Sequence, residues 1–144
     1  MSIACTPAGR SRFPTLQPAG SEWFQELLGR RPLDDAVWLV AEADGRVVGD
    51  VCARLERPVD DAPRQLLRDL GRARLCVDAL GVAEAYQRRG VGARLMRAVE
   101  KWGRARGAVR SVLTTYGAGP LSVPFYERGM GYQRRSIVFE KRLD

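Results

Sequence analysis

The chain has 144 residues and a net charge of +7, with 45% apolar and 28% charged residues, which describes one soluble globular domain. It contains no histidine, which excludes Ser-His-Asp catalysis, Cys-His catalysis and His-ligated zinc, and we expect no metal site. The longest apolar run, Ala36 to Ala41, is far too short to span a membrane and no signal peptide is evident, so the cytoplasm is the expected location.

The N-terminal segment has little periodicity. Residues 1–20 contain three prolines and two glycines and are expected to form a loose arm, which leaves 21–144 as the single domain. Ser21 is a helix N-cap candidate, and the apolar residues that follow it predict one short helix over Ser21 to Leu28.

A hairpin is expected next. The β-rich runs Val37 to Ala43 and Arg46 to Leu55 flank Asp44-Gly45, a pair that favours a type I′ turn. A longer connection follows, with a short helix expected from Pro63 to Leu70.

The centre of the chain predicts a strand, a glycine turn and a helix. Leu75 to Val82 has the length and the β-branched content of a buried strand. Gly107 stands where a helix C-cap is expected. The helix has one apolar face and one basic face, formed by Val91, Leu95, Ala98, Val99 and Trp102 and by Arg94, Arg97, Lys101 and Arg104 respectively.

The turn before this helix has the features of an anion site. The first amides of a helix have no partner within it and carry the positive end of its dipole. Gly90 and Gly92 allow a phosphate close to the backbone, and Arg88 and Arg89 add positive charge. The sequence does not fit the Walker or Rossmann glycine patterns, and an ordinary tight turn is the alternative.

The C-terminal part predicts a strand, a helix and a strand. Ser111 to Tyr116 is expected to run parallel to the central strand, since a helix connects the two. Leu121 to Arg128 predicts a short helix, with Pro124 in its first turn. Ser136 to Leu143 alternates apolar and polar residues, as an outer antiparallel strand does.

Charge is unevenly distributed along the chain. Residues 34–61 hold eight acids and three arginines, whereas 17 basic and seven acidic residues follow residue 61. A basic half suits nucleic acid or a phosphorylated cofactor, but no nucleic-acid motif is present, so we expect no nucleic-acid partner. The acidic stretch could attract a cationic amine or be an ordinary solvated surface.

Two motifs carry a family resemblance. Leu80-x-Val82, followed after four residues by Gln87-x-x-Gly90-x-Gly92, resembles the acetyl-CoA signature of the GNAT family of N-acetyltransferases. The segment Phe125 to Tyr132, FYERGMGY, looks like the family's second motif, in the usual order and at the usual distance. The resemblance covers roughly Val37 to Leu143.

The resemblance implies an α/β (α+β) GNAT fold, a mixed central sheet flanked by helices. The family begins with a strand, and here only Ser2 to Cys5 could supply it, so we expect a reduced or missing first strand. A neighbouring molecule could contribute that strand instead, which leaves a homodimer open.

The resemblance also implies how acetyl-CoA is held. Leu80, Gly81 and Val82 would pair with the pantetheine arm, and the Val82 amide would polarise the thioester carbonyl. Gly81 would mark a β-bulge or a close backbone approach. The diphosphate would lie on the turn and the first helical residues, which are Arg88, Arg89, Gly90, Val91, Gly92 and Ala93.

Tyr126 matches the family's usual proton donor to the CoA sulfur. Asp78 lies where many members place a glutamate and is the candidate base, with a structural role at the strand opening as the alternative. Two family positions depart from the usual pattern, because Thr114 replaces an acid and Gly119 replaces an asparagine. Glu42, Asp50 and Tyr116 are candidate acceptor-binding groups on placement alone.

The function implied is acetyl transfer from acetyl-CoA to a primary amine by direct attack. A small-molecule amine is favoured over a protein N-terminus or lysine. The alternative is a non-catalytic acyl-CoA-binding or regulatory domain.

Overall fold

A five-stranded sheet in the order β1-β2-β3-β4-β5 is the main element of the fold. The computed structural model describes residues 2–6, 35–58, 71–136 and 139–143. Neighbouring strands are antiparallel from β1 to β4, whereas β5 runs parallel to β4, so the expected mixed sheet is confirmed. The strands are β1 (Ser2–Thr6), β2 (Ala36–Ala43), β3 (Arg46–Glu56), β4 (Arg74–Val82) and β5 (Arg110–Leu113).

The chain divides into two compact units, residues 1–114 and 115–144, and the sheet lies in the first. The domain division that we expected at residue 20 stays a prediction. The two short helices expected at Ser21 to Leu28 and Pro63 to Leu70 lie outside the described residues.

The first strand is present but short. Within the stretch where we expected a loose arm, Ser2–Thr6 pairs antiparallel with β2, from Ser2 opposite Glu42 to Thr6 opposite Trp38. Five residues of backbone ladder are enough to complete this edge of the sheet. The strand is therefore reduced rather than missing.

The hairpin between β2 and β3 is confirmed. Asp44 and Gly45 have φ angles of 52° and 70°, and a type I′ turn requires positive φ at both central residues. The register slips by one residue where Ala41 pairs with Gly49 and Glu42 pairs with Val47.

Helix α1 (Val91–Ala105) follows β4, as the apolar spacing predicts. Its buried residues are Val91, Leu95, Met96, Val99 and Gly103, and the four basic residues of the opposite face are exposed. Gly107, at φ 87°, ends the helix. The amides of Gly107 and Ala108 bond back to the carbonyls of Arg104 and Gly103, the two bonds of a Schellman motif.

The core lies between α1 and one face of the sheet. A Cβ built on Gly103 of the helix would lie 3.1 Å from Leu75 of β4, so the backbones approach closely there. Each large aliphatic side chain buried in this way contributes about 1.5–3 kcal/mol. The most buried are Leu55, Leu75, Leu95, Met96, Val40, Val51 and Val99.

The second unit begins with helix α2 (Ser122–Pro124), which continues as a π-helical turn over Phe125–Gly129. The helix expected at Leu121 to Arg128 is thus confirmed, with Pro124 early in it. The closing strand expected at Ser136 to Leu143 is not formed by the described residues of that run. Phe139 and Leu143 are each 91% exposed, so the apolar side of the alternation is not buried in the part described.

Across the described ranges, no helix is long and apolar enough to cross a membrane.

Candidate functional site

The C-terminal half of β4 has a strand neighbour on one side only, among the residues that the structure describes. β3 pairs with β4 from Arg74 to Val82, whereas β5 pairs with it only from Arg74 to Val77. The strand predicted for Ser111 to Tyr116 accordingly ends at Leu113, because no β4 partner continues alongside it. The backbone of Leu80, Gly81 and Val82 therefore forms an edge that an extended ligand can join as a strand.

The irregularity that separates the two halves of β4 lies at Asp78. Cys52 pairs with Ala79 and Ala53 pairs with Val77, which leaves Asp78 as the extra residue of a bulge. The expectation of a bulge at Gly81 was wrong, since Gly81 pairs in continuous register with Asp50.

Gly81 instead marks a close approach, the other reading of a glycine in a strand. A Cβ on Gly81 would lie 2.8 Å from Oδ1 of Asp50. A side chain at 81 would displace that carboxylate, so the constraint on residue 81 comes from its neighbour rather than from the φ angle.

The turn that connects β4 to α1 is held by local hydrogen bonds. The amides of Tyr86 and Gln87 bond to the carbonyls of Ala83 and Glu84 at 2.8 and 3.1 Å. The side chain of Gln87 donates to the Val82 carbonyl at 3.2 Å, which fastens the turn to the end of the strand.

Backbone N–H groups at the start of α1 have no hydrogen-bond acceptor within the helix. Gly90 is its N-cap, in the left-handed region at φ 79°, and no side chain among the described residues caps the helix. The amide of Arg94 bonds to the Gly90 carbonyl at 3.1 Å, which closes the first turn. The amides of Val91, Gly92 and Ala93 precede that bond and can receive an anion.

Gly49 brings this helix start close to the β4 edge. A Cβ built on Gly49 would lie 2.8 Å from the Gly81 carbonyl oxygen and 3.2 Å from both Val91 and Leu95. The end of β4 and the first turn of α1 therefore meet at one point of β3. The sequence reasoning missed Gly49, although its place among the β-branched residues of a strand was a signal of close approach.

Two arginines flank the helix start. Arg88 and Arg89 are exposed, and Arg88 has a positive φ of 58°. The guanidinium carbon of Arg89 lies 5.5 Å from the centroid of the Tyr86 ring, within cation–π range. The cofactor-binding residues expected from the sequence lie in two runs, one at the end of β4 and one that covers the end of the turn and the start of α1.

The sheet face opposite α1 carries a network of ion pairs. Arg54 pairs with Asp78 and, at 3.1 Å, with Glu56, and Arg74 also pairs with Glu56. All four side chains are 15–24% exposed. Burial alone would raise the pKa of the Glu56 carboxyl, but the hydrogen bonds from Arg74 and Cys76 and the two guanidinium charges hold that pKa below its ordinary value.

Arg54 was not among the residues predicted for the site. The alternation of Asp50, Cys52, Arg54 and Glu56 along β3 was the available signal, because residues two apart in a strand share one face. The bulge places Asp78 of β4 on this same face, where Arg54 neutralises its carboxylate.

Asp50 lies on the same face of β3 as Arg54 and Glu56, but its environment differs from that of the ion pairs. Its Oδ2 accepts a hydrogen bond of 3.1 Å from the indole Nε1 of Trp38. Burial raises the pKa of the Asp50 carboxyl, and the Trp38 bond opposes that rise only in part. Burial also raises the pKa of the Cys52 thiol to about 12 and that of Cys76 to about 11, so both thiols stay protonated at neutral pH.

Tyr126 belongs to the second unit, where it is packed among aromatic rings. The ring centroids of Phe125 and Tyr132 lie 5.0 and 5.9 Å from that of Tyr126, both in edge-on geometry. The amide of Tyr132 donates to the Tyr126 carbonyl at 2.9 Å. Burial raises the pKa of the Tyr126 phenol, which keeps it protonated at neutral pH.

The remaining candidates differ in exposure. Tyr116 is 89% exposed, and Glu42 is half-buried at the end of β2. A Cβ on Gly119 would clash with the Ser122 hydroxyl oxygen, so a larger residue there requires that side chain to move. No group of three or more Cys, Asp or Glu that could hold a metal occurs within the described ranges.

Comparisons with known proteins give a family match and a set of similar folds. The model of the acetyltransferase (GNAT) family matches residues 7–132. A protein from Pyrococcus furiosus assigned as an acetyl transferase is 24% identical, with a TM-score of 0.69 over 92% of this chain and 83% of the other.

Two aminoglycoside N-acetyltransferases have similar folds. AAC(6')-Iy, solved in complex with CoA, is 20% identical, with a TM-score of 0.63 over 86% of this chain and 87% of the other. The enzyme AAC(6')-IG from Acinetobacter haemolyticus is 17% identical, with a TM-score of 0.66 over 100% of both chains. Identities this low indicate the fold alone.

Proposed function

The chain belongs to the acetyltransferase (GNAT) family, and on that premise we propose that it transfers the acetyl group of acetyl-CoA to a primary amine by direct attack. The observation that carries the proposal is that, among the described residues, a helix start without a side-chain cap meets a strand edge without a second neighbour beside Gly49. A diphosphate linked to an extended amide-containing arm matches that combination, because it needs anion-binding donors and strand-like hydrogen bonding within a short distance.

The residues that would hold acetyl-CoA follow from this geometry. The amides of Arg89 to Ala93 would bind the diphosphate, with the guanidinium of Arg88 nearby. Leu80, Gly81 and Val82 would bond to the pantetheine amides along the free edge of β4. The Val82 amide would stabilise the oxyanion as the amine adds to the thioester carbonyl.

Tyr126 is proposed as the acid that protonates the leaving thiolate of CoA. A phenol can supply that proton only if it is protonated in the resting enzyme, and its raised pKa supports this. The ring neighbours fix its orientation, which supports a positioned donor rather than a mobile one.

Asp78 remains a candidate for the general base. Its ion pair with Arg54 supports the structural alternative, because a base paired with a guanidinium has little tendency to take a proton. We propose that Asp78 and Arg54 hold the bulge that separates β4 from β5.

The proposed acceptor is a small cationic amine. The acidic stretch 34–61 supports this choice, and neighbouring folds include enzymes whose names specify aminoglycosides. Neither feature distinguishes an aminoglycoside from a polyamine or an amino-acid derivative.

The test measures thiol release from acetyl-CoA with kanamycin, spermidine and lysine methyl ester, alongside calorimetric binding of acetyl-CoA. Release with at least one amine is expected. If the protein binds acetyl-CoA but releases no thiol with any of the amines, the proposed enzymatic activity would be contradicted and a non-catalytic acyl-CoA-binding domain favoured.

Tyr126→Phe tests the proposed acid within the same assay. We expect unchanged acetyl-CoA affinity and a turnover lower by about 10²-fold, since general acids contribute about 10²–10⁴-fold. Tyr132→Phe, in the same ring cluster, is the matched control and should keep its turnover. Unchanged turnover in Tyr126→Phe would remove this phenol from the mechanism.

A further inference from the structure

Asp50 is a half-buried carboxylate that the chemistry above leaves without a role. It lies on β3 directly opposite Gly81, and its Oδ1 occupies the space where a side chain at 81 would stand. The carboxylate is therefore placed over the β4 segment that is proposed to hold the thioester arm. It faces away from α1, because Gly49, the next residue in β3, points toward that helix.

The partners of Asp50 differ from those of the other acids on this face. Asp78 and Glu56 each pair with a guanidinium. Within the described ranges, Asp50 instead accepts a hydrogen bond from the neutral indole of Trp38. An indole donor orients the carboxylate through Oδ2 but does not cancel its charge. A partly desolvated carboxylate that has no counterion among the described residues gains free energy from any cation that reaches it.

Among the described residues of β2, β3 and β4, the other titratable side chains of this sheet face do not supply that cation. On the neighbouring strands they are Glu42 of β2 and Arg74, Cys76 and Asp78 of β4, and on β3 itself Cys52, Arg54 and Glu56. Both arginines are engaged by Glu56 and Asp78. The nearest of these groups along β3, the Cys52 thiol, is neutral at pH 7.

An alkylammonium group fits this position chemically. It carries a positive charge and three donors, one of which can bond Oδ1 while Trp38 holds Oδ2. An amine with a pKa of about 10 must also lose a proton before it can attack a carbonyl. A carboxylate beside the thioester arm can accept that proton.

We propose that Asp50 binds the ammonium group of the acceptor and takes its proton, an inference that rests on the proposed function. The proton passes from nitrogen to the carboxylate, and the neutral amine then forms its bond to the acetyl carbon. The C–S bond breaks and Tyr126 protonates the thiolate, the second proton passes from the nitrogen through water to the Tyr126 phenolate, and Asp50 returns its proton to water.

Asp50→Asn tests this role, because the amide keeps the shape and still accepts from Trp38. With the best amine found for the wild type, we expect kcat/KM at pH 7 to fall by about 10²-fold, while acetyl-CoA affinity changes by less than twofold. Asp44→Asn is the matched control: it makes the same exchange in the exposed turn of the same hairpin, at a left-handed position that asparagine tolerates, and should match the wild type.

The pH profile separates a base from a structural residue. Wild-type kcat/KM should fall as pH decreases through the pKa of Asp50, which lies above the ordinary aspartate value. The deficit of Asp50→Asn should shrink as pH rises toward the pKa of the amine, since a free amine needs no base. An equal deficit at every pH, or a lower melting temperature than the wild type at pH 7, would overturn the proposal.

Calorimetry with the same amines in the presence of CoA separates this proposal from the proposed function. Amine binding that Asp50→Asn abolishes, without thiol release from the wild type, would contradict the transfer reaction but support ammonium binding at Asp50. Thiol release that Asp50→Asn retains would overturn the role of Asp50 and leave the transferase intact. If the wild type binds none of the amines, the proposed role of Asp50 would be overturned as well.

Discussion

At the scale of single residues, two glycines that border α1 share a left-handed conformation but lie at opposite ends of the helix. Gly90 precedes the helix at φ 79° and Gly107 follows it at φ 87°, and a Cβ at either position would meet no atom of the described residues within 4 Å. The protein therefore needs glycine at both for the backbone angle and at neither for space. Only Gly90 lies beside the helix amides proposed to bind a diphosphate.

Gly90→Ala and Gly107→Ala are predicted to differ in binding but not in stability. An L-residue in the left-handed region costs about 1–2 kcal/mol, so both variants should lose a similar amount of unfolding free energy. Gly90→Ala should also weaken acetyl-CoA binding by about tenfold or more, because its methyl group occupies space that the ligand would use. Calorimetry and thermal unfolding measure the two effects, and a wild-type affinity in Gly90→Ala would count against the anion site.

At the scale of elements, the bulge of β4 depends on charges drawn from two strands. Arg54 of β3 reaches both Asp78, the bulged residue, and Glu56. Replacing Arg54 would leave two partly buried carboxylates without this counterion, and breaking such a pair costs about 3–5 kcal/mol. The opening between β4 and β5 is therefore supported by electrostatics as well as by the backbone ladder.

Arg54→Met is predicted to lower the free energy of unfolding by about 3 kcal/mol at pH 7. Arg57→Met is the control: its side chain is 64% exposed in a pair with Asp35, and an exposed pair contributes less than about 1 kcal/mol. The pKa of Glu56 is lowered in the folded protein, so its stabilising contribution is present at neutral pH and is lost as pH falls through that pKa. The deficit of Arg54→Met should accordingly shrink on acidification, and a deficit no larger than that of Arg57→Met would contradict this account.

The elements also divide into those that the sequence could predict and those that it could not. The hairpin and α1 are encoded locally, by Asp44-Gly45, by apolar spacing and by Gly107, and their limits were predicted to within about two residues. The bulge at Asp78 depends on which β3 residue pairs with which β4 residue, and no local pattern reports that register. The closing strand was predicted from alternation alone, which does not establish that a neighbouring strand is available.

The candidate site shows the same division. Leu80, Gly81 and Val82 and the turn at Gly90 were proposed from a family motif that lies in one short stretch of sequence, and their role in binding the cofactor stays a prediction. Asp50 was only one of three acceptor-binding candidates, since its distinguishing features are a neighbour across the strand pair, Gly81, and an indole 12 positions away. Tertiary contacts of this kind separate Asp50 from Asp78, whereas their residue types do not.

At the scale of the molecule, the excess of positive charge has two interpretations with different spatial consequences. A cofactor diphosphate at the start of α1 needs only the charges next to Gly90, whereas a nucleic acid would use the whole basic face of the helix. Lys101 lies ten residues after Val91, roughly 15 Å along the axis. That distance exceeds the Debye length of about 8 Å at physiological ionic strength, so a charge at 101 should have little effect on a ligand at the helix start.

Arg88→Gln and Lys101→Gln distinguish the two interpretations. At 0.15 M salt we expect Arg88→Gln to weaken acetyl-CoA binding about tenfold, since a charge-assisted hydrogen bond is worth about 1.5–3 kcal/mol. Lys101→Gln should change that affinity by less than twofold. The same variants are then titrated with duplex DNA at 0.05 and 0.2 M salt. One outcome would favour nucleic acid: DNA binding that depends on Lys101, weakens steeply with salt and persists in saturating acetyl-CoA. In that case the basic face of α1 binds a polyanion, and the cofactor does not account for the excess of positive charge.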